Sequence, residues 1–475
     1  MEVEKQIIEE ETAAAATSTA ASSVNGSSEV NRAVTWEGCS VLLDINDGDR
    51  LVFSRLSPAA TIKIGNNKCS LGPLVGCPFG SLFTVEAGAG GLHLSRSAAS
   101  PTGNCVEHSK DEAQSVGEIR DNRELVDNNT AQSLSSEDIE ALRSEGATGD
   151  DIVKALIANS STFEKKTVFS QEKYKLKKQK KYAPKVLLRR PSMRSICETY
   201  FKKHPQRTGF MRVDTLSMLL SLANVGPNSD ALVLDKLGGL VVGSVAERVG
   251  GTGYICSTYF GAVPYQIDIV RMFNFSKDVC ARILQAPFCD LSSMQNPPSE
   301  SAMPDPSDMG PSSAETAQPD PSNEILNQDD SSLLDSRDSR DNDDDALTGQ
   351  KSVKPGRKAP PEIIKSWKDN GFTSLIVAAP DMDVESLIMD LLPLLAYSAP
   401  FAIYHQYLQP LATCMHKLQA SKMAIGLQIS EPWLREYQVL PSRTHPHMQM
   451  NAFGGYILSG IRISNTGGAN EDKTT

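Results

Sequence analysis

The chain has no cysteines in CxxC spacing and no histidine and cysteine cluster at zinc-ligand spacing, which excludes a zinc module. Its nine cysteines, at positions 39, 69, 77, 105, 197, 256, 280, 289 and 414, are scattered. They read as reduced core residues of an intracellular protein. The opening residues MEVEKQIIEEETAAAATSTAASS are acidic, then small and polar, without the apolar core of a secretory signal. The most apolar later stretch, Leu387 to Tyr404, is broken by Asp390, Pro393 and Pro400. The expectation is therefore a protein that neither enters the secretory route nor spans a membrane. Aromatic side chains are sparse, 6% of 475 residues, within an otherwise globular composition long enough for two or three domains. The net charge of -11 conceals strong segregation, so an acidic average does not exclude nucleic acid.

A second set of absences lies between Asp230 and Gly261. The run Ala231 to Leu234 ends in Asp235, Gly238 and Gly239 follow, and apolar residues then recur at Leu240, Val241 and Val245 in helical rhythm. Gly250, Gly251 and Gly253 stop the helix, and Tyr254 to Tyr259 is a second strand, giving the opening of a doubly wound sheet. A methyltransferase loop on this fold needs an acid and then glycines at alternate positions, where the backbone passes close to S-adenosylmethionine. After Asp235 the alternate positions are Leu237, Gly239 and Val241, two of them bulky. The second strand should also end in an acid that holds the ribose hydroxyls, yet Thr258 to Ala262 supply none. Either a Rossmann-like domain has lost its cofactor pocket, or this is an ordinary glycine turn that never held one.

Taken in order, residues 1–32 read as disordered. Residues 33–90 carry short strand-like runs between turn signals, including Asn46-Asp47-Gly48-Asp49 and Gly65-Asn66-Asn67, the pattern of a small β-barrel-like domain. Such a barrel either binds oligonucleotide or serves a structural role. Residues 91–132 read as loop or disorder, and residues 133–210 as a helical and basic connector with Ser135 or Ser136 as a helix N-cap. Helices are expected at Ser192–Phe201 and at Asp214–Ala223, the latter capped by Asp214. Residues 211–289 form the first part of the Rossmann-like domain, including modest helices at Tyr265–Phe273 and Asp278–Leu284. Residues 290–360, with the acidic block Asp329 to Asp345, read as a disordered insertion. Residues 361–465 complete the α/β domain and 466–475 form a disordered tail. The fold class is thus α+β multidomain, with a degenerate cofactor loop in the C-terminal part.

From Lys165 to Arg190 basic residues are opposed only by Glu172. The candidates for RNA contact are Lys173, Lys175, Lys177, Lys178, Lys180, Lys181, Arg189 and Arg190, joined by Arg435 and Arg443 in the tail. Phe163, Phe169, Tyr174 and Tyr182 are interleaved with the first group. Lysines neutralise phosphates, and aromatic faces stack on bases or anchor a helix to its neighbour. The competing readings are a solvated helix face and a nuclear import signal in Lys177 to Lys181.

These stretches resemble the non-catalytic subunit of eukaryotic tRNA 1-methyladenosine methyltransferase, which acts at tRNA position 58. The resemblance is carried by NSSTFEKKTVFSQEKYKLKKQKKY (159–182), MRVDTLSMLLSLANV (211–225), LDKLGGLVVGSVAERVGG (234–251), FAIYHQYLQPLATCMHKL (401–418) and WLREYQVLPSRTHPHMQMNAFGGYILSG (433–460). It covers nearly all the chain outside the N-terminus and the acidic insertion. It implies that this chain binds no cofactor while a catalytic sister subunit uses S-adenosylmethionine, that the two pair as an α2β2 heterotetramer on tRNA, and that the complex is nuclear. Catalytic sisters carry Asp-Leu-Pro after the fourth strand; here the run is Ala378-Ala379-Pro380, with Ala378 at the carboxylate position. No catalytic residue or metal ligand is therefore assigned to this chain. Two alternatives stand beside this reading: an active RNA methyltransferase that uses Asp381 or Asp383, and a free-standing RNA-binding translation factor.

Overall fold

The computed structural model describes residues 33–65, 67–88, 91–97, 132–292, 353–439, 444–448 and 453–464. The expectations for residues 1–32 and 466–475, for the loop beyond residue 97 and for the body of the acidic insertion lie outside these residues.

Six strands open the chain: β1 (Ser40–Ile45), β2 (Arg50–Arg55), β3 (Thr61–Ile64), β4 (Asn67–Ser70), β5 (Leu82–Gly88) and β6 (Gly91–Arg96). The β1–β2 turn follows from its sequence. Asn46 and Asp47 take φ of 56° and 57°, a left-handed region these two residue types tolerate. The Gly48 amide donates back to Asp44 Oδ1 at 2.6 Å. Three helices follow: α1 (Ser136–Ser144), α2 (Gly149–Ala158) and α3 (Val168–Tyr182). Ser135 caps α1 in a capping box with Asp138.

The chain then returns to the first sheet. β7 (Lys185–Arg189) inserts between β1 and β5, so the order is β2-β1-β7-β5-β6, with β3 and β4 as a separate hairpin. Two boundaries are corrected by this. β6 lies within 91–132, and β7 lies within the stretch assigned to the connector. The reason is non-local pairing: Leu188 faces Leu43, and Val186 faces Ile45 and Phe83, burying Val186 and Leu188 completely inside what reads locally as a basic run.

The second unit begins with α4 (Met193–Lys203) and α5 (Val213–Leu222). The N-cap of α5 is Arg212, not Asp214; Asp214 sits in the first turn. Then come β8 (Ala231–Asp235), α6 (Leu240–Val249), β9 (Ile255–Tyr259), a 3₁₀ turn (Asp268–Phe273), α7 (Lys277–Arg282), β10 (Ile283–Pro287) and α8 (Phe288–Ser292). The expected helix to Leu284 ends at Arg282, because Ile283, Leu284 and Ala286 are buried in a strand parallel to β9. After the insertion come β11 (Arg357–Lys358), α9 (Pro361–Asn370), β12 (Ser374–Ala378), α10 (Val384–Leu391), β13 (Pro400–His405), α11 (Leu408–Ala420), β14 (Ala424–Ser430), β15 (Tyr437–Gln438), β16 (His445–Pro446) and β17 (Tyr456–Arg462). The insertion is accordingly narrower than 290–360: Ser292 ends α8, and β11 already pairs with β10.

The eight-stranded sheet has the order β11-β10-β9-β8-β12-β13-β17-β14. Its first six strands are parallel, and β17 runs antiparallel between β13 and β14. Alternation along β8 divides the core. Ala231 and Val233 pack with α4, α5 and α6, whereas Leu232 and Leu234 pack with α9, α10 and α11. The domain is therefore doubly wound α/β, and its strand order reverses between β8 and β12, where a crevice at the strands' carboxyl ends is expected. The N-terminal sheet docks beside it: Asn274 accepts from the Ser40 amide at 2.8 Å and donates to the Ser40 carbonyl at 2.7 Å.

Candidate functional site

The crevice between β8 and β12 is filled by the protein's own chain. Asp235 ends β8 fully buried, and its carboxylate accepts from the amides of Leu237 (2.7 Å), Val241 (2.8 Å) and Val242 (2.9 Å). These amides belong to the loop and the first turn of α6, so the acid caps a helix from within the fold. Burial pushes the Asp235 carboxyl up, and the backbone donors partly offset this. Leu237 and Val241 are buried in the same cluster as Ile269 and Val270. Gly239 has φ 88°, and a Cβ there would lie 2.7 Å from Ile267 Cα. The Ile269 amide donates to the Gly238 carbonyl at 3.0 Å. The segment Ile267–Ile269 thus packs directly on the glycine pair. The residues present do not fit S-adenosylmethionine.

The β12 end gives the same result. Ala378 is fully buried, and its carbonyl accepts from the Lys236 amide at 3.0 Å. Asp381 is ion-paired with Lys236. Asp383 caps α10, accepting from the amides of Glu385 and Ser386 and from the Ser386 hydroxyl at 2.5 Å; the hydroxyl bond holds its carboxyl below the usual range. Both acids proposed for an unorthodox active site are engaged in local structure. Thr258, the first residue of the stretch that lacks a ribose acid, is buried, and its hydroxyl has no hydrogen-bond partner. Among the described residues, no group of histidines, cysteines and acids could hold a metal ion, and no helix is long and apolar enough to cross a membrane.

The basic segment forms α3, capped by Thr167. Tyr174, Lys178 and Tyr182 follow one another at i, i+4 spacing, and the Tyr174 ring meets Phe163 at 5.7 Å. Tyr174 therefore anchors the helix on Phe163 in the segment after α2, whereas Phe169 is exposed. Lys178 Nζ lies 5.2 Å from the Tyr174 centroid and 5.9 Å from that of Tyr182. Lys175 sits over Phe163, and Lys181 over Tyr182. Lys173, Lys177, Lys180 and Lys181 project within one arc of the helix and are exposed. Two candidates carry internal partners: Lys180 pairs with Asp49 at 2.7 Å, and Arg189 with the buried Asp44 at 3.1 Å. Arg190 is exposed after β7, and Arg435 is exposed between β14 and β15. Arg443 lies outside the described residues.

Residues 36–318 match the model of the Gcd10p family, more than half of the chain. The chain belongs to the Gcd10p family. It is 33% identical over 431 residues to the tRNA (adenine(58)-N(1))-methyltransferase non-catalytic subunit trm6 of Dictyostelium discoideum, covering 90% of this chain and 79% of that protein. It is 31% identical over 452 residues to the subunit of the same name from Mus musculus, covering 88% of each. Among solved structures, a SAM-dependent O-methyltransferase from Thermotoga maritima aligns at TM-score 0.45 and 10% identity, over 93% of this chain and 98% of that one. The tRNA (m1A58) methyltransferase TrmI from Aquifex aeolicus aligns at TM-score 0.41 and 11% identity, over 91% and 99%.

One further group in this Gcd10p-family chain escapes the sequence. Arg212 is buried and grips Asp214 through two bonds, Nε to Oδ1 at 2.6 Å and Nη2 to Oδ2 at 2.8 Å, while Nη2 also donates to the Pro432 carbonyl at 3.1 Å. Thr215 donates to the Gly454 carbonyl at 2.6 Å. Together they pin the tail segment that presents Arg435 and the exposed Trp433. The adjacent Arg212 and Asp214 were the available signal, but nothing local announces a partner more than 200 residues away.

Proposed function

We infer that this chain is the non-catalytic, tRNA-binding subunit of a tRNA (adenine(58)-N(1))-methyltransferase, and that S-adenosylmethionine is held by a catalytic partner of similar fold. The observation that carries this is the crevice itself. Leu237 and Val241 stand at the positions a cofactor loop keeps as glycine, and Ile267 occupies the approach to Gly239. A methyltransferase-type domain with its pocket filled still presents outer helices and strands for pseudo-symmetric pairing, which favours an α2β2 heterotetramer. The basic face of α3 supplies phosphate contacts that need no sequence readout. Binding energy gathered on remote parts of the tRNA then holds the target adenine near the partner's methyl donor, a positioning effect worth several kcal/mol. The N-terminal strands, with the β3–β4 hairpin over the sheet, are read as a small barrel that extends this surface. A nuclear site of action belongs to the same reading, with Lys177 to Lys181 as an import signal beside their RNA role.

Isothermal calorimetry separates this from an active methyltransferase. The full chain alone is expected to show no heat of S-adenosylmethionine binding, while the complex with its partner does. Stoichiometric binding to the chain alone overturns the reading. Purification without any methyltransferase partner would favour the free-standing translation factor.

A further inference from the structure

We propose that the β3–β4 hairpin and Arg50 form a second phosphate-binding patch, which continues the basic face of α3 across the β1–β2 turn and receives the tRNA backbone. The inference rests on the tRNA-binding reading above and adds a site to it.

Alternation along the hairpin sends Ile62, Ile64 and Cys69 into the N-terminal core, which leaves Lys63 and Lys68 on the solvent face. The register sets these two lysines directly opposite one another. Like charges in that relation destabilise a strand pair. A third cation is added by Arg50, whose Nη1 donates to the Lys63 carbonyl at 2.7 Å. Among the described residues, no carboxylate forms an ion pair with Lys63 or Lys68. Lys63 and Lys68 thus face one another in a repulsion that a bound anion would relieve.

The patch is continuous with α3. Arg50 follows Asp49 in sequence, and Asp49 pairs with Lys180. Asn46 on the same turn donates to the Lys180 carbonyl at 3.1 Å and accepts from the Lys185 amide at 3.1 Å. The turn therefore joins the C-terminal end of α3 to the hairpin. It also occupies Asp49, a carboxylate that would otherwise repel a phosphate there. Asp47, exposed at the turn tip, is the acid a nucleic-acid strand must pass. No large apolar side chain is exposed between residues 50 and 70. The patch thus has charge without the apolar anchors of a protein interface, and without aromatic faces on which bases would stack. That chemistry suits a sugar-phosphate backbone.

The test uses the full chain co-purified with its catalytic partner and measures tRNA affinity across a salt series. Lys63→Ala with Lys68→Ala is expected to lower the slope of log K against log salt by about 1.4 to 1.8, two phosphate contacts' worth. Lys68→Glu converts the like-charge pair into an opposite-charge pair, so it should hold or raise the melting temperature while weakening tRNA binding. Loss of affinity in this variant cannot then be ascribed to unfolding. If the hairpin variants leave affinity and slope unchanged while the α3 lysine variants lower both, the second patch is refuted and the tRNA-binding reading stands. If neither set changes the slope, both fall. Loss of an acidic protein partner with tRNA binding intact would also overturn the proposal.

Discussion

Gly239→Ala tests whether the glycines of the β8–α6 loop serve the protein's own packing. Gly239 sits at φ 88°, and an added Cβ would lie 2.7 Å from Ile267 Cα and 2.9 Å from its carbonyl carbon. The obstacle is backbone, which cannot rotate away. Left-handed strain in a non-glycine residue costs about 1–2 kcal/mol, and overpacking against an unyielding neighbour adds about 1–3 kcal/mol. The expected destabilisation is about 2–5 kcal/mol, about 4–20 °C in melting temperature for a domain of this size. Gly238 is the control: it also has positive φ, but an added Cβ meets side chains alone, the Ile269 Cδ1 tip at 3.2 Å and Arg207 Nε and Ile269 Cγ1 at 3.6 Å, so Gly238→Ala should cost about 1–2 kcal/mol. Thermal and urea unfolding of the chain without ligand measure both. A Gly239→Ala chain as stable as wild type would mean the loop is not packed as described, and the filled-crevice argument would fail with it.

Changing Lys177 and Lys181 to Ala should each lower the salt slope of tRNA binding by about 0.7–0.9. Lys180→Ala should lower it less, since its charge is shared with Asp49; equal effects would show that the ion pair does not persist in solution. Replacing Asp381 and Asp383 with Ala should leave the methylation rate of the assembled complex nearly intact, with about 1 kcal/mol lost through the α10 cap; an abolished rate in an intact complex would return chemistry to this chain. Burial raises the Asp235 carboxyl above its unfolded value. Its contribution to stability is therefore fully present below the unfolded value and is lost as pH rises through the folded one. Melting temperatures across pH should show this component in wild type and not in Asp235→Asn, which should also be less stable at every pH through weakened amide bonds.

β8, α6, β9, β12, α10, β13 and α11 were legible in the sequence, because each satisfies itself with a local rhythm, whereas β10, α8, β11 and α9 were not. β8 and β12 are continuous apolar runs, α6 is stopped by Gly250, and Ser192 caps α4. The absence of loop glycines and of a strand-end acid was legible for the same reason: it is a matter of which residue stands where. Tertiary structure alone decided what each absence was replaced by. Ile267 lies 28 residues after Gly239, and only folding brings its backbone over that glycine. β7 reads as the end of a basic helix until β1 and β5 pair on either side of it. Arg189 and Lys180 look like free phosphate binders until the fold sets Asp44 and Asp49 beside them. Local pattern is written in neighbouring residues and can be read there. Partners more than a hundred residues apart are chosen by burial and sheet pairing, which no window along the chain contains.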